Sequence, residues 1–246
     1  MVKIVIVGYG KMGRSIEQLA KSSSIPVSRV IDDEDSLKSA SFAKDEVAIE
    51  FTTPSSCIKN VEILAKKGVN IVCGTTGWYD DLERFKKIII DHNIGFIYSS
   101  NFSIGVNIFW QTIAHISKLM NKIDDYDVMG FELHHKYKKD SPSGTAIQTG
   151  QILLENLDRK TKLVTNIDER NLLPEELHFS AVRGGEIIGK HTILFDSIYD
   201  SIEISHTSKS RDSYAIGAVK SAQWLNGKKG FFDFQNYMGE ISNVKI

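Results

Sequence analysis

The sequence has few cysteines and no long apolar run, and both shortages exclude whole classes of protein. Two cysteines among 246 residues, Cys57 and Cys73, exclude a disulfide framework, and neither lies in a Cys-x-x-Cys or zinc-type pattern. We expect both to be small buried residues in a reducing compartment. No apolar run approaches the roughly 18 residues of a membrane span, and the N-terminus lacks the features of a signal peptide. We therefore predict a cytoplasmic protein without membrane contact.

Excess charge is also missing. The formal net charge is −1 at pH 7, so no overall field attracts nucleic acid or an anionic membrane. Repeats, low-complexity stretches and Pro/Ser-rich linkers are absent too, so a boundary between domains is expected to be a hinge within continuous structure. With 41% hydrophobic residues the chain can form a sizeable core. These properties are typical of a protein that acts on small molecules.

The start of the chain carries a dinucleotide-binding pattern. A buried parallel strand is predicted at residues 3–7 and a helix at residues 14–20. Between them lies G-x-G-x-x-G, formed by Gly8, Tyr9, Gly10, Lys11, Met12 and Gly13. Its glycines allow a tight turn, approach of the backbone to a pyrophosphate, and close packing of helix on strand. A glycine-rich turn in an unrelated α/β protein is the alternative.

An acidic cluster follows the second predicted strand, residues 26–31. Asp32 lies 19 residues after Gly13. This is close to the spacing of about 20 residues expected between the glycine motif and the acid that binds the adenosine ribose. Asp33, Glu34 and Asp35 come directly after it. Because carboxylates here repel a 2′-phosphate, we predict NADH rather than NADPH, with Lys38 placed to soften the preference.

The alternation of strands and helices continues to about residue 104. Strands are predicted at residues 47–51, 69–73 and 95–98, and helices at residues 56–67 and 80–92. Loops after the carboxyl ends of the strands face the cofactor in an open doubly wound sheet. We therefore expect the threonine-rich turns at residues 52–54 and 74–77 to meet the cofactor.

The pattern then changes. Helices are predicted at residues 106–120 and about 143–157, a strand at residues 126–134, and strands at residues 177–182, 186–195 and 201–205. Helices followed by antiparallel strands predict a second domain of α+β type. The pattern alone does not assign the helix predicted at residues 214–225 to one of the two domains.

The densest polar chemistry lies at residues 132–146, which read E-L-H-H-K-Y-K-K-D-S-P-S-G-T-A. Pro142 at a first helical position makes Ser141 the expected N-cap. The amides of Ser143, Gly144 and Thr145 would then be free to bind a carboxylate or phosphate, and the ammonium of Lys138 would complete an anion site.

His134 and His135 end the strand before this loop, so we expect their side chains to point to opposite faces. One is suited to proton donation and the other to hydrogen bonding with a substrate. A metal site is not predicted, because cysteine is absent nearby and the histidines lack the i, i+4 spacing of helical zinc sites. Lys136, Lys138 and Lys139 form too small a basic face for nucleic acid.

These motifs resemble those of the dihydrodipicolinate reductase family. Its pattern E-x-H-H-R-x-K-x-D-A-P-S-G-T-A is matched by residues 132–146, with Lys136 in place of arginine and Ser141 in place of alanine. Further resembling stretches occur in the same order along the chain, at residues 8–13, 51–54, 74–77, 101–107, 183–195 and 205–221.

The resemblance implies NAD(P)H-dependent reduction of 4-hydroxy-tetrahydrodipicolinate, a small dicarboxylate, in the diaminopimelate and lysine pathway. Hydride would reach C4 of the cyclic unsaturated imine derived from this hydroxylated substrate, and a proton would be added at C3. The implied catalytic residues are His134 and Lys138, and the implied substrate-binding residues are His135, Ser143, Gly144 and Thr145. The implied cofactor-binding residues are Gly8, Tyr9, Gly10, Lys11, Met12, Gly13, Asp32, Gly74, Thr75, Thr76, Ser99, Ser100, Asn101 and Phe102, with Arg211 near the cofactor.

The implied fold is a Rossmann-type parallel sheet, residues 1–104 and 213–246, with an α+β substrate and tetramerisation domain that contains a mixed sheet, residues 105–212. The C-terminal helix would return to the first domain, and the chain would form a homotetramer. Two rivals remain: another nicotinamide enzyme acting on a small carboxylate, and a non-catalytic dinucleotide sensor. A sensor has no need for His134, Lys138 and an anion site together.

Overall fold

The computed structural model describes residues 1–242, which fold as two compact units. The first contains residues 1–104 and the chain from residue 211 onward, and the second contains residues 105–210. The elements before residue 104 are β1 (Lys3–Val7), α1 (Lys11–Ser22), β2 (Val27–Ile31), α2 (Glu34–Ser39), β3 (Glu46–Glu50), α3 (Pro54–Lys66), β4 (Asn70–Cys73), α4 (Leu82–Asp91) and β5 (Gly95–Tyr98). A single 3-10 turn, Tyr79–Asp81, precedes α4.

The remaining elements follow in chain order. The second unit contains α5 (Ile104–Met120), β6 (Asp127–His134), α6 (Gly144–Asn156), β7 (Lys162–Val164), β8 (Glu176–Arg183), β9 (Gly189–Asp196) and β10 (Ser201–Ser208). The returning chain forms α7 (Asp212–Leu225), β11 (Gly230–Asp233) and α8 (Phe234–Ser242). None of the helices among residues 1–242 is both long and apolar enough to cross a membrane.

The first unit is built on a parallel sheet of six strands in the order β11-β5-β4-β3-β1-β2. Alternate residues of β1 enter different apolar clusters: Ile4 and Ile6 pack with α1 and α7, whereas Val5 and Val7 pack with α3 and α4. Strands that are covered on both faces need apolar residues at nearly every position, which explains their continuous apolar sequences.

The second unit has a mixed sheet in the order β10-β9-β6-β8-β7. Strands β6, β8 and β7 are parallel to one another, and β9 is antiparallel to both β6 and β10. The mixed sheet that the family resemblance implies is therefore confirmed, whereas the antiparallel arrangement expected from the pattern alone is wrong for β7 and β8. Helix α6 lies between β6 and β8 in the sequence, and such a crossover returns the chain in the same direction.

The predicted fold class, an α/β protein with a parallel sheet, a second unit and a returning C-terminal helix, is confirmed. Helix α7 packs against α1 and against β3 and β4 of the first sheet. Its Gly217 lies so close to the chain that a Cβ atom there would be 1.7 Å from the carbonyl oxygen of Phe102. A residue without a side chain is thus required where the returning helix crosses this loop.

We expect Gly217→Ala to destabilise the fold by about 1–3 kcal/mol, because the new methyl group overlaps backbone and the helix must shift. Gly239→Ala in α8 is a matched control, since a Cβ there meets nothing within 4 Å. The control is expected to be neutral or to gain up to about 1 kcal/mol of helix propensity. Urea denaturation measures both, and equal midpoints for the two variants would contradict the packing argument.

Candidate functional site

The glycines between β1 and α1 serve different purposes. Gly8 has a φ of +92°, and a Cβ there would lie 2.2 Å from the carbonyl oxygen of Phe51. A Cβ on Gly13 would lie 2.2 Å from the carbonyl oxygen of Gly8, so this glycine lets α1 pack on the turn. A Cβ on Gly10, the N-cap of α1, would meet nothing within 4 Å. The start of α1 is therefore open to a phosphate group.

A cavity of about 360 Å³ adjoins this turn. Asp32 lies in its wall and accepts a hydrogen bond of 2.7 Å from the amide of Tyr9, which ties the end of β2 to the glycine turn. The cavity is lined by Val7, Gly8, Tyr9, Gly10, Ile31, Asp32, Asp33, Glu34, Phe51, Thr52, Thr53, Ser56 and Asn60. Its size and its carboxylate fit the adenosine part of a dinucleotide.

The other acids after β2 have structural partners. Asp33 is the N-cap of α2 and accepts a hydrogen bond of 2.8 Å from the amide of Ser36. Glu34 forms an ion pair of 2.6 Å with Lys38, which also lies 4.0 Å from Asp35. Lys38 is thus paired on the surface of α2 in this structure.

A second cavity of about 380 Å³ lies in the same unit. It is lined by Lys11, Met12, Phe51, Gly74, Ser99, Ser100, Asn101, Phe102, Arg211 and Tyr214. The exit loops of β4 and β5 therefore share one cavity with the start of α1, as expected for loops at the carboxyl ends of parallel strands. Arg211, at the start of the returning chain, brings a positive charge to this wall.

Three of the predicted cofactor residues line neither cavity. Gly13 packs beneath the turn, Thr76 is exposed, and Thr75 is buried. The hydroxyl oxygen of Thr75 accepts a hydrogen bond of 2.8 Å from the amide of Thr52, and its carbonyl accepts one of 2.7 Å from the indole of Trp78. Thr75 thus joins the exit loops of β3 and β4.

In the second unit, a fully buried carboxylate joins four chain segments. Glu132 Oε1 accepts hydrogen bonds from the Ser143 amide, at 2.9 Å, and from Arg183 Nη2, at 2.7 Å. Glu132 Oε2 accepts one from the Ser143 hydroxyl. It also lies 3.3 Å from His134 Nε2 and 3.2 Å from His191 Nε2. We call these five residues the Glu132 network.

The network determines the ionisation of its central carboxyl. Burial by itself opposes ionisation of Glu132, but hydrogen bonds and charge from the four surrounding side chains outweigh burial. The pKa of Glu132 is consequently held well below its ordinary value. An ionised carboxylate therefore lies beside His134 across the neutral pH range.

The His134 side chain contacts residues at the start of β9 and the residue just before that strand. Its Nδ1 lies 2.8 Å from the carbonyl oxygen of Ile188, and its ring lies 5.3 Å from the ring of His191. A Cβ on Gly189 would lie 2.7 Å from His134 Cε1, so the glycine makes room for the imidazole. His135 follows the end of β6 and is less buried than His134.

The start of α6 differs from the prediction. Ser143, not Ser141, is the N-cap, and its hydroxyl accepts a hydrogen bond of 3.2 Å from the amide of Ala146. The amide of Ser143 is not free, because it donates to buried Glu132. The preference of proline for the first helical position does not decide the cap here. The carboxylate of Glu132, which is distant in the sequence, binds Ser143 and fixes it as the residue before the helix. Gly144 and Thr145 provide the first two helical amides, which find no acceptor within residues 1–242.

Lys138 and Arg183 bring positive charge to the same loop. Lys138 Nζ lies 2.8 Å and 2.9 Å from the two carboxylate oxygens of Asp140. Arg183 Nη2 donates a 2.7 Å hydrogen bond to the Asp140 carbonyl as well as to Glu132. The loop that carries Lys138 is therefore fastened to the Glu132 network.

The sequence patterns predicted no role for Glu132, Arg183 or His191. Glu132 belongs to the matched motif, and a charged residue between apolar neighbours of a strand is a signal that it is buried for a reason. Arg183 and His191 lie 51 and 59 residues further along the chain and reach Glu132 only through the pairing of β6 with β8 and β9.

Two groups among residues 1–242 have the donor types of a metal site. Their ligand atoms lie within 4.8 Å of one another, in Glu132 with His134 and His191, and in Glu50 with Cys57 and Cys73. In the first group Arg183 already supplies positive charge to the carboxylate. In the second, burial raises the pKa of the Cys73 thiol well above its ordinary value, which opposes the thiolate that metals prefer. The side chains of both groups are therefore described as hydrogen-bonded clusters.

Comparisons with known proteins agree with the motif along both units. A family model described as dihydrodipicolinate reductase, N-terminus, matches residues 2–102, and one described as dihydrodipicolinate reductase, C-terminus, matches residues 105–238. The chain belongs to the dihydrodipicolinate reductase family.

Individual members of this family match almost the whole chain. It is 36% identical to the 4-hydroxy-tetrahydrodipicolinate reductase of Christiangramia forsetii over 98% of this chain and 99% of that protein. It is 34% identical to the enzyme of the same name from Methanocaldococcus jannaschii, over 98% of this chain and 83% of that one. A dipicolinate-bound dihydrodipicolinate reductase from a Paenisporosarcina species has the same fold, with a TM-score of 0.76 and 21% identity over 96% of this chain and 99% of that one.

The lowered pKa of Glu132 predicts how stability depends on acid. A carboxyl group with a lowered folded-state pKa stabilises the fold fully above its unfolded value, near 4.5, and this stabilisation is lost as the pH falls below it. We expect Glu132→Gln to be less stable at neutral pH, yet to lose less stability between about pH 5.5 and about pH 3. Urea denaturation at several pH values measures this. The exposed Glu155→Gln of α6 is the control, and parallel profiles for wild type and Glu132→Gln would contradict the assignment.

Proposed function

We propose that this chain reduces 4-hydroxy-tetrahydrodipicolinate to tetrahydrodipicolinate with a nicotinamide cofactor, in the cytoplasm, as a step of diaminopimelate and lysine biosynthesis. The observation that carries the proposal is the convergence, at residues 132–146, of a buried histidine and an open helix start in a chain of this family. The relatives named above are reductases, which favours this function over a non-catalytic sensor.

The substrate is a ring with two carboxylates, and the start of α6 suits one of them. The amides of Gly144 and Thr145 and the aligned backbone dipoles of the helix attract an anion. Lys138 adds an ammonium from the neighbouring loop, where it forms an ion pair of 2.8 Å with Asp140. His135, the residue after β6, is the proposed hydrogen-bond donor to the substrate.

Proton delivery is assigned to His134 and Lys138. The hydroxylated substrate loses water to give a cyclic unsaturated imine, and the nicotinamide, when bound, supplies the hydride for C4 of that ring. The charge that develops on the ring is neutralised by a proton at C3, which His134 provides with Lys138 as its partner. General acid catalysis of this kind contributes about 100-fold or more to a rate.

The cavities of the first unit fit the proposed cofactor. Gly10 leaves the start of α1 open for the pyrophosphate, and Asp32 lies where the adenosine ribose hydroxyls would bind. The second cavity, next to Lys11 and Arg211, receives the other end of the dinucleotide. We propose NADH as the better coenzyme because the carboxylates of Asp32, Asp33 and Glu34 line the adenosine cavity and disfavour a 2′-phosphate.

We also propose a homotetramer assembled through the second sheet. Helices cover the face that carries Val128, Phe179 and Ile193, whereas Met129 and Val182 of the opposite face are 36% and 52% exposed. Exposed apolar side chains on adjacent strands are typical of a surface that another copy of the chain covers. Light scattering of the purified chain measures the number of copies.

The function is tested with substrate generated from pyruvate and aspartate semialdehyde by the upstream synthase, while NADH and NADPH absorbance is followed. We expect substrate-dependent oxidation of the coenzyme. His134→Gln and Lys138→Ala should each lower kcat by about 100-fold or more, because proton delivery is lost, while NADH binding persists.

Two matched controls accompany these variants. His92→Gln changes an exposed histidine of the first unit, and Lys139→Ala changes the lysine next to Lys138. Both should keep wild-type turnover. Absence of coenzyme oxidation by the wild type would refute the function, and unchanged rates in the His134 and Lys138 variants would place the chemistry elsewhere.

Coenzyme preference is tested with Asp32→Asn. The variant keeps an oxygen that can accept the Tyr9 amide but loses the negative charge, so we expect the NADPH/NADH ratio of kcat/KM to rise about tenfold. Asp35→Asn, whose side chain is 97% exposed, is the charge-matched control and should leave the ratio unchanged. Equal ratios in wild type and Asp32→Asn would show that this carboxylate does not discriminate.

A further inference from the structure

The ion pair between Lys138 and Asp140 joins two residues whose main chain is itself held in place. The amide of Lys138 donates a hydrogen bond of 3.1 Å to the carbonyl oxygen of His135, and the amide of His135 donates one of 2.7 Å to that of Ile187. The carbonyl oxygen of Asp140 accepts a hydrogen bond of 2.7 Å from Arg183 Nη2. The two side chains therefore meet from backbone positions that are fixed independently of the ion pair.

The contact leaves part of the Lys138 ammonium unused. Its Nζ lies 2.8 Å and 2.9 Å from the two carboxylate oxygens of Asp140. An ammonium has three donor hydrogens, so two of them serve Asp140. No other acceptor of this ammonium is found among residues 1–242. The Lys138 side chain is 22% exposed, so one donor is left for a carboxylate that enters the site from solvent.

Folding stability does not explain this ion pair. The Asp140 side chain is 59% exposed, and exposed ion pairs contribute little to stability. A free lysine, by contrast, has a long flexible stem, and fixing it costs side-chain entropy. A group that is oriented before the substrate arrives avoids this cost during binding and reaction. Orientation of the ammonium is therefore the effect that the contact provides.

The charge on each partner favours the contact. Burial by itself opposes ionisation of Asp140, but the hydrogen bond and the charge of Lys138 hold the pKa of this carboxyl below its ordinary value. The nearby lysine of the same loop, Lys136, lies 4.0 Å from Glu186 instead. Each of these two lysines thus has its own carboxylate, and only Lys138 has a carboxylate that binds it through both oxygens.

We propose that Asp140 is a positioning residue of this enzyme, which holds the Lys138 ammonium in place with one donor directed to a substrate carboxylate. This inference rests on the function proposed above, in which Lys138 binds the substrate and assists proton delivery. Asp140 itself acts only through Lys138. The hydrogen bond from Arg183 to the Asp140 carbonyl fixes the backbone from which the carboxylate extends.

The test compares Asp140→Asn with Glu186→Gln. The asparagine variant removes the charge but keeps the main-chain carbonyl that binds Arg183, so the loop retains this tie. Glu186→Gln is the matched control, because it also removes an exposed carboxylate that faces a lysine of the same loop, Lys136. The urea midpoint, kcat, KM for substrate and Kd for NADH are measured for each variant, alone and combined with Lys138→Ala.

We expect Asp140→Asn to lower kcat about tenfold, because the ammonium loses its fixed orientation. KM should change by less than about threefold, since the loss of one negative charge does not weaken the attraction for a dicarboxylate. The urea midpoint and the NADH Kd should stay at their wild-type values. Glu186→Gln should match the wild type in all four measurements.

The combination with Lys138→Ala separates positioning from a structural role. If Asp140 acts through Lys138, Asp140→Asn should cause no further loss of kcat once the lysine is gone. A similar loss in both backgrounds would overturn the inference. So would an unchanged kcat in Asp140→Asn or in Lys138→Ala, an equal loss in Glu186→Gln, or a loss that accompanies a lowered urea midpoint. Failure of the wild type to oxidise coenzyme would instead refute the proposed function, so the two failures are distinguishable.

Discussion

The ionised carboxylate of Glu132, fully buried in the second unit, is the interaction on which the arrangement of the candidate site depends. Removing a carboxylate from water costs several kcal/mol unless charge and hydrogen bonds replace the lost hydration. Here the replacement comes from four different segments: the start of α6, the end of β8, the middle of β9 and the end of β6 itself. Satisfying one buried charge therefore brings the helix start and the proposed proton donor together.

The candidate site of the first unit depends on close backbone packing rather than on a buried charge. Gly8 and Gly13 stand where a single Cβ atom would overlap a carbonyl oxygen, whereas Gly10 faces open space. The same requirement recurs at Gly217, which lets α7 cross the loop that ends at Phe102. Close approach of backbone to backbone thus shapes the glycine turn of the first unit, and side-chain charge shapes the candidate site of the second.

Features that depend on neighbouring residues in the chain could be predicted from the sequence, whereas features that depend on tertiary contacts could not. The buried parallel strands and the glycine turn are local signals, and β1 was predicted with its observed bounds, Lys3–Val7. Short elements such as α2, β7 and β11 were missed because three to six residues show too little periodicity. The direction of β8 relative to β6 was missed because strand pairing is a tertiary property that its own residues do not encode.

The cap of α6 shows how a local rule loses to a distant contact. Proline favours the first helical position, and this preference alone points to Ser141 as the cap. The observed cap, Ser143, gives its amide to Glu132, its hydroxyl hydrogen to the same carboxylate, and its hydroxyl lone pair to the amide of Ala146. Three hydrogen bonds in a buried position outweigh the intrinsic preference of one proline.

The acidic cluster after β2 shows the reverse case, in which the structure divides residues that the sequence presents as a group. Asp33 caps α2 and Glu34 pairs with Lys38, so both carboxylates are partly committed to that helix. Asp32 is instead fixed on the cavity wall by the amide of Tyr9. Because electrostatic repulsion weakens with distance and with competing partners, the preference proposed for NADH depends chiefly on Asp32. Of four adjacent acids in the sequence, one carboxylate is thus held on the wall of the cavity by a backbone amide.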